Sequence, residues 1–408
     1  MSAQNLASQP ERHEKRSLWN VWITGATSFL TDVSTEMTYP LLPLFLTATL
    51  GASPAILGVI EGIAESVASL LKAFSGYVSD RVGRRKPLAI LGYALSPLSK
   101  FLLYVAGSWP VVLVARVLDR FGKGIRTAPR DALIAESVEP EKRGRAFGLH
   151  RTLDTLGAAF GVLLAMGLLM NLPRSTHVVR SIFLYSVVPA ALGVLVLFLV
   201  REVKAHARAG SLHLSWRELD PVLKQFLIIT FIFSLGNSSN QFILLRASTL
   251  GTSTFGVLGL YLAFNLSYAL FSYPAGRISD RFGRRRVIVP GYLFYALVYF
   301  LLAFSKSTAH FLAIFILYGL YMALTEGVEK ALVSDLARPE IKASALGVHA
   351  TLVGIGLFPA SALGGWLWNA ISPRATFYFG SAMGVAGALG MAFVLRELDN
   401  PQVQRRNR

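Results

Sequence analysis

Gly76-Tyr-Val-Ser-Asp80-Arg81-Val-Gly83-Arg84-Arg85-Lys86 returns at positions 276–286 as Gly276-Arg-Ile-Ser-Asp280-Arg281-Phe-Gly283-Arg284-Arg285-Arg286. Each copy lies between two long apolar runs. A basic, glycine-punctuated loop that recurs once per half marks an internally duplicated membrane chain. The register extends outward from it. Thr49-Leu-Gly-Ala-Ser53 matches Thr249-Leu-Gly-Thr-Ser253, and Ala146-Phe-Gly-Leu-His150 matches Ala345-Leu-Gly-Val-His349. Ala132–Glu136 aligns with Ala331–Asp335, and Pro140-Glu141 with Pro339-Glu340.

The composition agrees. Of 408 residues, 53% are hydrophobic and 15% charged, against about 25% charged in soluble domains. Stretches such as Ser181–Val200 and Val287–Ser305 hold almost no charge, whereas a soluble helix needs a polar face. A polytopic all-α membrane protein follows. The net charge of +17 is spread over short loops, which fits cytosolic loops and anionic lipid at that face rather than nucleic acid. The chain has no cysteine, so disulfides and thiolate metal sites are excluded.

Twelve transmembrane helices are predicted, at about 19–48, 54–78, 87–107, 109–134, 144–170, 179–200, 222–248, 253–276, 287–305, 308–335, 343–369 and 374–396. They group into a tail 1–18, a six-helix half 19–200, a linker 201–221, a second half 222–396 and a tail 397–408. Pro40 and Pro43 should disturb the end of the first span, Pro359 should kink the eleventh, and Pro129 should end or kink the fourth. The tails and even-numbered loops carry Arg12, Lys15, Arg16, Arg81 to Lys86, Arg143, Arg201 and Arg281 to Arg286. The odd-numbered loops carry little beyond Arg174, Arg180, Lys306 and Arg374. The positive-inside rule places both termini in the cytoplasm, in a bacterial-type inner (plasma) membrane.

The two G-x-x-x-D-R-x-G-R-R-[KR] loops resemble the signature of the major facilitator superfamily, and the span count and central linker are similar to its plan. The resemblance runs from about Trp19 to Arg396 and implies a monomeric secondary transporter with a cavity between two halves near the midplane. It implies gating by the loop residues Gly76, Asp80, Arg81, Gly83, Arg84, Asp280, Arg281 and Gly283, with Arg130 or Arg126 as partners for Asp80. It also implies that the first, fourth, seventh and tenth helices line the cavity.

The fourth span is the most charged. Arg116, Arg120, Lys123, Thr127 and Arg130 fall on one helical stripe. Asp119 can reach Lys123 at i, i+4. A charge at the bilayer centre costs at least about 2.5–3.5 kcal/mol, so the stripe must face protein or water. Arg120-x-x-Lys123-Gly124 resembles the family's fourth-helix pattern, in which the arginine serves proton transfer or substrate binding. Lys123 and Arg126 make this copy more basic than is usual there. Asp32 and Glu36 on the first span, and Glu61 and Glu65 on the second, are i, i+4 acid pairs. Such pairs suit a proton carrier, a cation site, or neutralisation of the fourth-span arginines.

The corresponding positions of the second half are Asn237 and Gln241, allowing a five-residue gap, and Tyr261 and Asn265. Proton coupling is therefore expected in the first half, through Asp32, Glu36, Glu61, Glu65, Arg116, Arg120, Lys123 and Arg126. Substrate hydrogen bonding is expected in the second, through Asn237, Asn240, Gln241, Asn265, Glu326 and Glu329. Gly157-Ala-Ala-Phe-Gly161 loosely resembles the exporters' antiporter signature but has Val162 in place of proline. Close helix packing explains most of it. His150 and His349 stand alone, without metal-ligand spacing. No GxxxxGK[ST] phosphate loop is present, which argues against an ATP-driven pump, and no enzyme constellation appears.

The expectation is a proton-coupled transporter using no cofactor beyond the proton gradient, exporting a small organic compound. An anionic solute, a metal ion or a metal chelate is the alternative cargo. A transporter-like sensor or scaffold is the remaining class.

Overall fold

The structure, a computed structural model, describes residues 4–82, 84–139, 142–172, 177–202, 219–305, 307–338 and 341–396. Most of the predicted linker and the whole of the predicted second tail lie outside them. The described chain is a succession of helices. These are α1 Gln4–Thr38, α2 Leu42–Leu44, α3 Pro54–Val82, α4 Lys86–Val105, α5 Trp109–Glu136, α6 Arg143–Asn171 and α7 Val178–Leu197. Then come α8 Pro221–Ser234, α9 Gln241–Thr249, α10 Thr254–Phe282, α11 Arg285–Phe304, α12 Thr308–Leu336, α13 Lys342–Ala370 and α14 Pro373–Val394. Among the described residues, nine helices are long and apolar enough to cross a membrane. α5 misses that measure because of its charged stripe, and the seventh span because it is broken into α8 and α9.

Local sequence explains the punctuation. Pro40 and Pro43 remove backbone donors, and the first span continues past α1 as a 3-10 turn, the short α2 and a π turn at Phe45–Thr49. The repeated Thr-Leu-Gly turns place Gly51 and Gly251 at φ +65° and +88°, and Gly283 closes its loop at φ +93°, conformations that cost glycine little. One expectation is corrected: α5 does not end at Pro129 but runs through it to Glu136, so Arg130 and Asp131 remain helical. Residues 4–18 are helical and continuous with α1, and α13 carries Pro359 within its length.

By contact the chain forms two units. Unit 1 is Met1–Tyr39 with Leu70–Ser211, and unit 2 is Pro40–Ser69 with Leu212–Arg408. In unit 1, α1 packs on α6 and α7, and α4 on α5 and α7. In unit 2, α10 packs on α12, and α11 on α12 and α14. The first half of α3 also belongs to unit 2. Gly62 and Gly365 bring it against α13, where an added Cβ would meet Phe358 O at 2.9 Å and Pro54 O at 2.6 Å respectively. Large apolar side chains such as Met170, Leu195, Leu270, Tyr273 and Phe393 are exposed. A lipid-facing surface accounts for them.

The structure locates a change in the repeat's register. α3 ends 200 residues before α10, at Val82 and Phe282, but α4 starts 199 before α11, at Lys86 and Arg285. The first loop therefore holds one extra residue, and Arg85, not Arg84, is the counterpart of Arg284. Each of these arginines precedes its helix and ties three helices together. Arg85 donates to Ser79 Oγ at 2.7 Å and Glu136 Oε1 at 2.9 Å. Arg284 donates to Ser279 Oγ at 3.1 Å, Asp335 Oδ2 at 2.8 Å and Asp280 Oδ1 at 2.5 Å.

Candidate functional site

The charged stripe of α5 is held by a close helix crossing. A Cβ on Gly92 of α4 would lie 2.7 Å from Gly122 O, and one on Gly122 of α5 would lie 2.5 Å from Gly92 O. With the backbones in contact, the next turns of α4 bring Ser96 and Lys100 level with Asp119. Lys100 Nζ donates to Asp119 Oδ1 at 2.5 Å, to Ser96 Oγ at 3.1 Å and to Thr35 Oγ1 at 3.3 Å. Asp119 Oδ2 faces Arg120 at 3.7 Å and Arg116 at 3.9 Å. All four side chains are at most 5% exposed. The expected Asp119–Lys123 pair is thus replaced by Lys100, which comes from a helix whose charge the sequence reading passed over. Lys123 is exposed.

Arg126 is also buried, and its guanidinium stacks 4.4 Å from the centroid of the Tyr93 ring. Its Nη1 is buried without a hydrogen bond. Arg130 donates to Asp131 Oδ1 at 2.8 Å through Nη2, and to Ser28 Oγ at 3.4 Å. Asp80 itself, with Gly76, Arg81 and Gly83, lies outside the residues whose side chains are described. Arg84 and Arg281 are exposed, Arg281 over the Phe282 ring.

Asp32 meets a carboxylate, but not the one expected. Gly157 and Gly161 seat α6 on the backbone of α1 at Phe29 and Val33. One turn before Gly157, Asp154 brings its carboxyl beside that of Asp32. Glu36 is within Coulombic reach of Asp32 rather than its main partner. Arg151 approaches Asp154 at 3.6 Å. Nearer the α5–α6 turn, Ser28 Oγ lies 3.0 Å from both Tyr93 OH and His150 Nε2. His150 is thereby a buried hydrogen-bonding group. Asp154, Lys100, Ser28 and Tyr93 are the members of this site that the sequence reading did not select. Two of them are charges within apolar spans, so the insertion-cost reasoning applied to α5 would have found them.

Unit 2 is built differently. Glu61 is fully buried, near Ser239 Oγ at 3.3 Å, whose backbone N–H donates to Ser361 Oγ at 3.1 Å. Glu65 is half-buried in the same unit. The acids predicted as one set are therefore divided, Asp32 and Glu36 in unit 1 and Glu61 and Glu65 in unit 2. Between α8 and α9 the helix stops for Leu235–Asn240, leaving backbone groups that water cannot reach in a bilayer. Tyrosines supply bonds to two of these groups: Tyr295 OH donates to Gly236 O at 2.8 Å and Tyr299 OH to Ser238 O at 3.4 Å. Tyr318 OH holds the Asn240 side chain, donating to Oδ1 at 2.7 Å. Their rings and that of Tyr321 pack in tilted pairs, with centroids 4.1–6.3 Å apart.

Of the predicted substrate residues, Asn237 is half-buried at this break and bonds no described side chain or backbone group through its amide. Asn240 is engaged by Tyr318. Gln241 is fully buried. Asn265 is tied to its own helix, donating to Tyr261 O at 3.1 Å. Glu326 accepts from Tyr268 OH at 2.6 Å and from Lys330 at 2.8 Å, and Glu329 faces His349 Nε2 at 3.3 Å.

The model of the Major Facilitator Superfamily matches residues 24–242 and again 226–408, one match for each half of the repeat. An uncharacterized MFS-type transporter of Methanocaldococcus jannaschii is 37% identical over 401 residues, covering 97% of this chain and 99% of that protein. The multidrug resistance protein MdtH of Photorhabdus laumondii is 24% identical over 340 residues, 81% of this chain and 82% of its own. Among solved structures, the nucleoside transporter NupG has a TM-score of 0.74 at 15% identity, covering 92% of this chain and 99% of its own. A D-xylose-proton symporter has a TM-score of 0.73 at 18% identity, covering 92% and 96%. These two likenesses carry the fold alone. With the duplicated loop, the helical architecture and the full-length relative in agreement, this chain is a multi-pass membrane transporter belonging to the Major Facilitator Superfamily.

Proposed function

We propose that the chain is a proton-coupled transporter in which Asp32 and Asp154 carry the coupling proton. The single observation behind this reading is that Asp154 brings its carboxyl beside that of Asp32. Two carboxyl groups this close in low dielectric resist double ionisation. On this reading the pair holds one proton when closed, and separating the side chains would set it loose. Ser28, His150 and Arg130 continue the polar track away from the pair. The orientation that goes with this reading has both termini in the cytoplasm of a bacterial-type inner membrane, supported by the basic even-numbered loops. The broken α8–α9 segment supplies the substrate end, with Asn237 as the amide open to a ligand. Interrupted helices in transporters commonly mark binding sites. The name of the MdtH relatives favours export of a small organic compound.

One observation favours a second cargo. The buried Nη1 of Arg126 lacks a hydrogen bond, and an anionic solute would supply one.

The test is vesicular flux. A thermal-shift screen on purified protein identifies a ligand, and proteoliposomes then measure its exchange with and without a pH gradient. Asp32→Asn should keep ligand exchange but lose accumulation against a gradient. Undiminished gradient-driven transport in Asp32→Asn and Asp154→Asn would remove the pair from the mechanism.

A further inference from the structure

One buried charge in unit 2 takes no part in any of this. Arg246 lies in the last turn of α9, where every side chain from Gln241 to Ala247 is buried, and it is itself only 7% exposed. Its Nε is buried without a hydrogen bond, and among the described residues no carboxylate is paired with it. The duplicated Thr-Leu-Gly turn gives the matching position of the first half: Leu46, fully buried in the π turn. One copy of the repeat thus keeps an apolar core residue where the other buries a guanidinium. A cation in the last turn of a helix gains from the helix dipole, but that gain is a fraction of the cost of burying it.

The surroundings add positive potential. The charge within Coulombic reach of Arg246 is a second arginine, Arg374. Arg374 follows Ser372 and Pro373 in the first turn of α14, a 22-residue helix whose N-terminus already carries partial positive charge and has no acid in its first turn. A cation there is set against the dipole. Two guanidinium groups and a helix N-terminus therefore lie within Coulombic reach at the end of unit 2 that holds the α9–α10 and α13–α14 turns, and among the described residues no anion is paired with Arg246.

We infer that Arg246, Arg374 and the first turn of α14 form a binding site for a phosphate group, taken from a free phosphate or from a phospholipid headgroup. Guanidinium groups bind phosphate oxygens through paired N–H donors, and a helix N-terminus adds backbone donors of the same polarity. The site lies at the opposite end of α10 from the Arg284 clamp. On the proposed orientation it faces the extracytoplasmic side.

The experiment uses the purified full-length chain. Inorganic phosphate is titrated at constant ionic strength, with chloride as the balancing anion, while thermal unfolding is followed. The same protein is examined by native mass spectrometry after reconstitution in phosphatidylglycerol and in phosphatidylcholine nanodiscs. The variants are Arg246→Leu, which installs the residue of the other repeat copy, and Arg374→Ala at an exposed position that should not disturb folding. A rise in melting temperature with phosphate that vanishes in Arg246→Leu, and needs about tenfold more phosphate in Arg374→Ala, supports a free-phosphate site. Retained phosphatidylglycerol that both variants lose, without a phosphate response, supports a headgroup site. If Arg246→Leu does not fold, Arg374→Ala carries the test alone. Equal phosphate and lipid behaviour of Arg374→Ala and the wild type, or a chloride response as large as that to phosphate, overturns the inference.

Discussion

Units 1 and 2 solve the same problem, polar groups inside an apolar surround, with different chemistry. Around α5, unit 1 concentrates Lys100, Arg116, Asp119, Arg120 and Arg126, and across α1 and α6 it joins Asp32 to Asp154. Unit 2 opens a helix and closes the exposed backbone with the hydroxyls of Tyr295 and Tyr299. Among its ion pairs, Glu326–Lys330 and Arg284–Asp280 are partly exposed, and Glu329 faces His349 in the interior. The repeat has kept the frame and let the interiors diverge. Buried charges need every partner in place, whereas neutral hydrogen bonds tolerate the loss of one. The lesson is that a duplicated frame can carry charged clusters in one copy and a tyrosine-closed helix break in the other.

The sharpest way to break this contrast is at Asp119. Asp119→Ala leaves Lys100 and the nearby arginines without their shared carboxylate and should cost about 3–5 kcal/mol, read as a large drop in melting temperature in detergent. A loss under about 1 kcal/mol would mean that the cluster is solvated and that the two interiors are not so different. Next comes the crossing that holds the cluster. Gly122→Val introduces atoms against the Gly92 carbonyl, and should lower stability by about 1–3 kcal/mol, with Gly122→Ala falling between it and the wild type in the same melts. In unit 2 the expected effects are smaller. Tyr295→Phe removes one hydroxyl from Gly236 O and should cost about 0.5–1.5 kcal/mol with the fold retained by circular dichroism. Glu326→Gln, at a half-exposed pair, should change the melting temperature little, about 0–1 kcal/mol.

Much of the frame could be read from the chain itself. The repeated loop, the apolar runs and the turn glycines Gly51, Gly251 and Gly283 each act through local rules, so the architecture was legible. The pairings were not. For Asp119, i, i+4 spacing offers Lys123, but the Gly92–Gly122 crossing brings Lys100 nearer. For Asp32, the same spacing offers Glu36, which does lie within Coulombic reach, and the Gly157–Gly161 face of α6 adds Asp154. Both differences have one source: helix periodicity gives neighbours along a helix, while glycine crossings decide neighbours between helices. The break at Leu235–Asn240 was hidden too, because its satisfaction comes from tyrosines on α11 and α12, far along the chain. Arg85 displaced Arg84 as the loop clamp because one inserted residue shifts the register without disturbing the motif's letters.

The proton proposed to lie between Asp32 and Asp154 can be sought without knowing the cargo. Infrared difference spectroscopy of the purified protein, stepped through pH, follows the carbonyl stretch of a protonated carboxyl group. The wild type should show a protonated-carboxyl band at neutral pH that is altered in both Asp32→Asn and Asp154→Asn and unchanged in Glu326→Gln. A spectrum without that band, or one that neither aspartate substitution alters, would contradict the account.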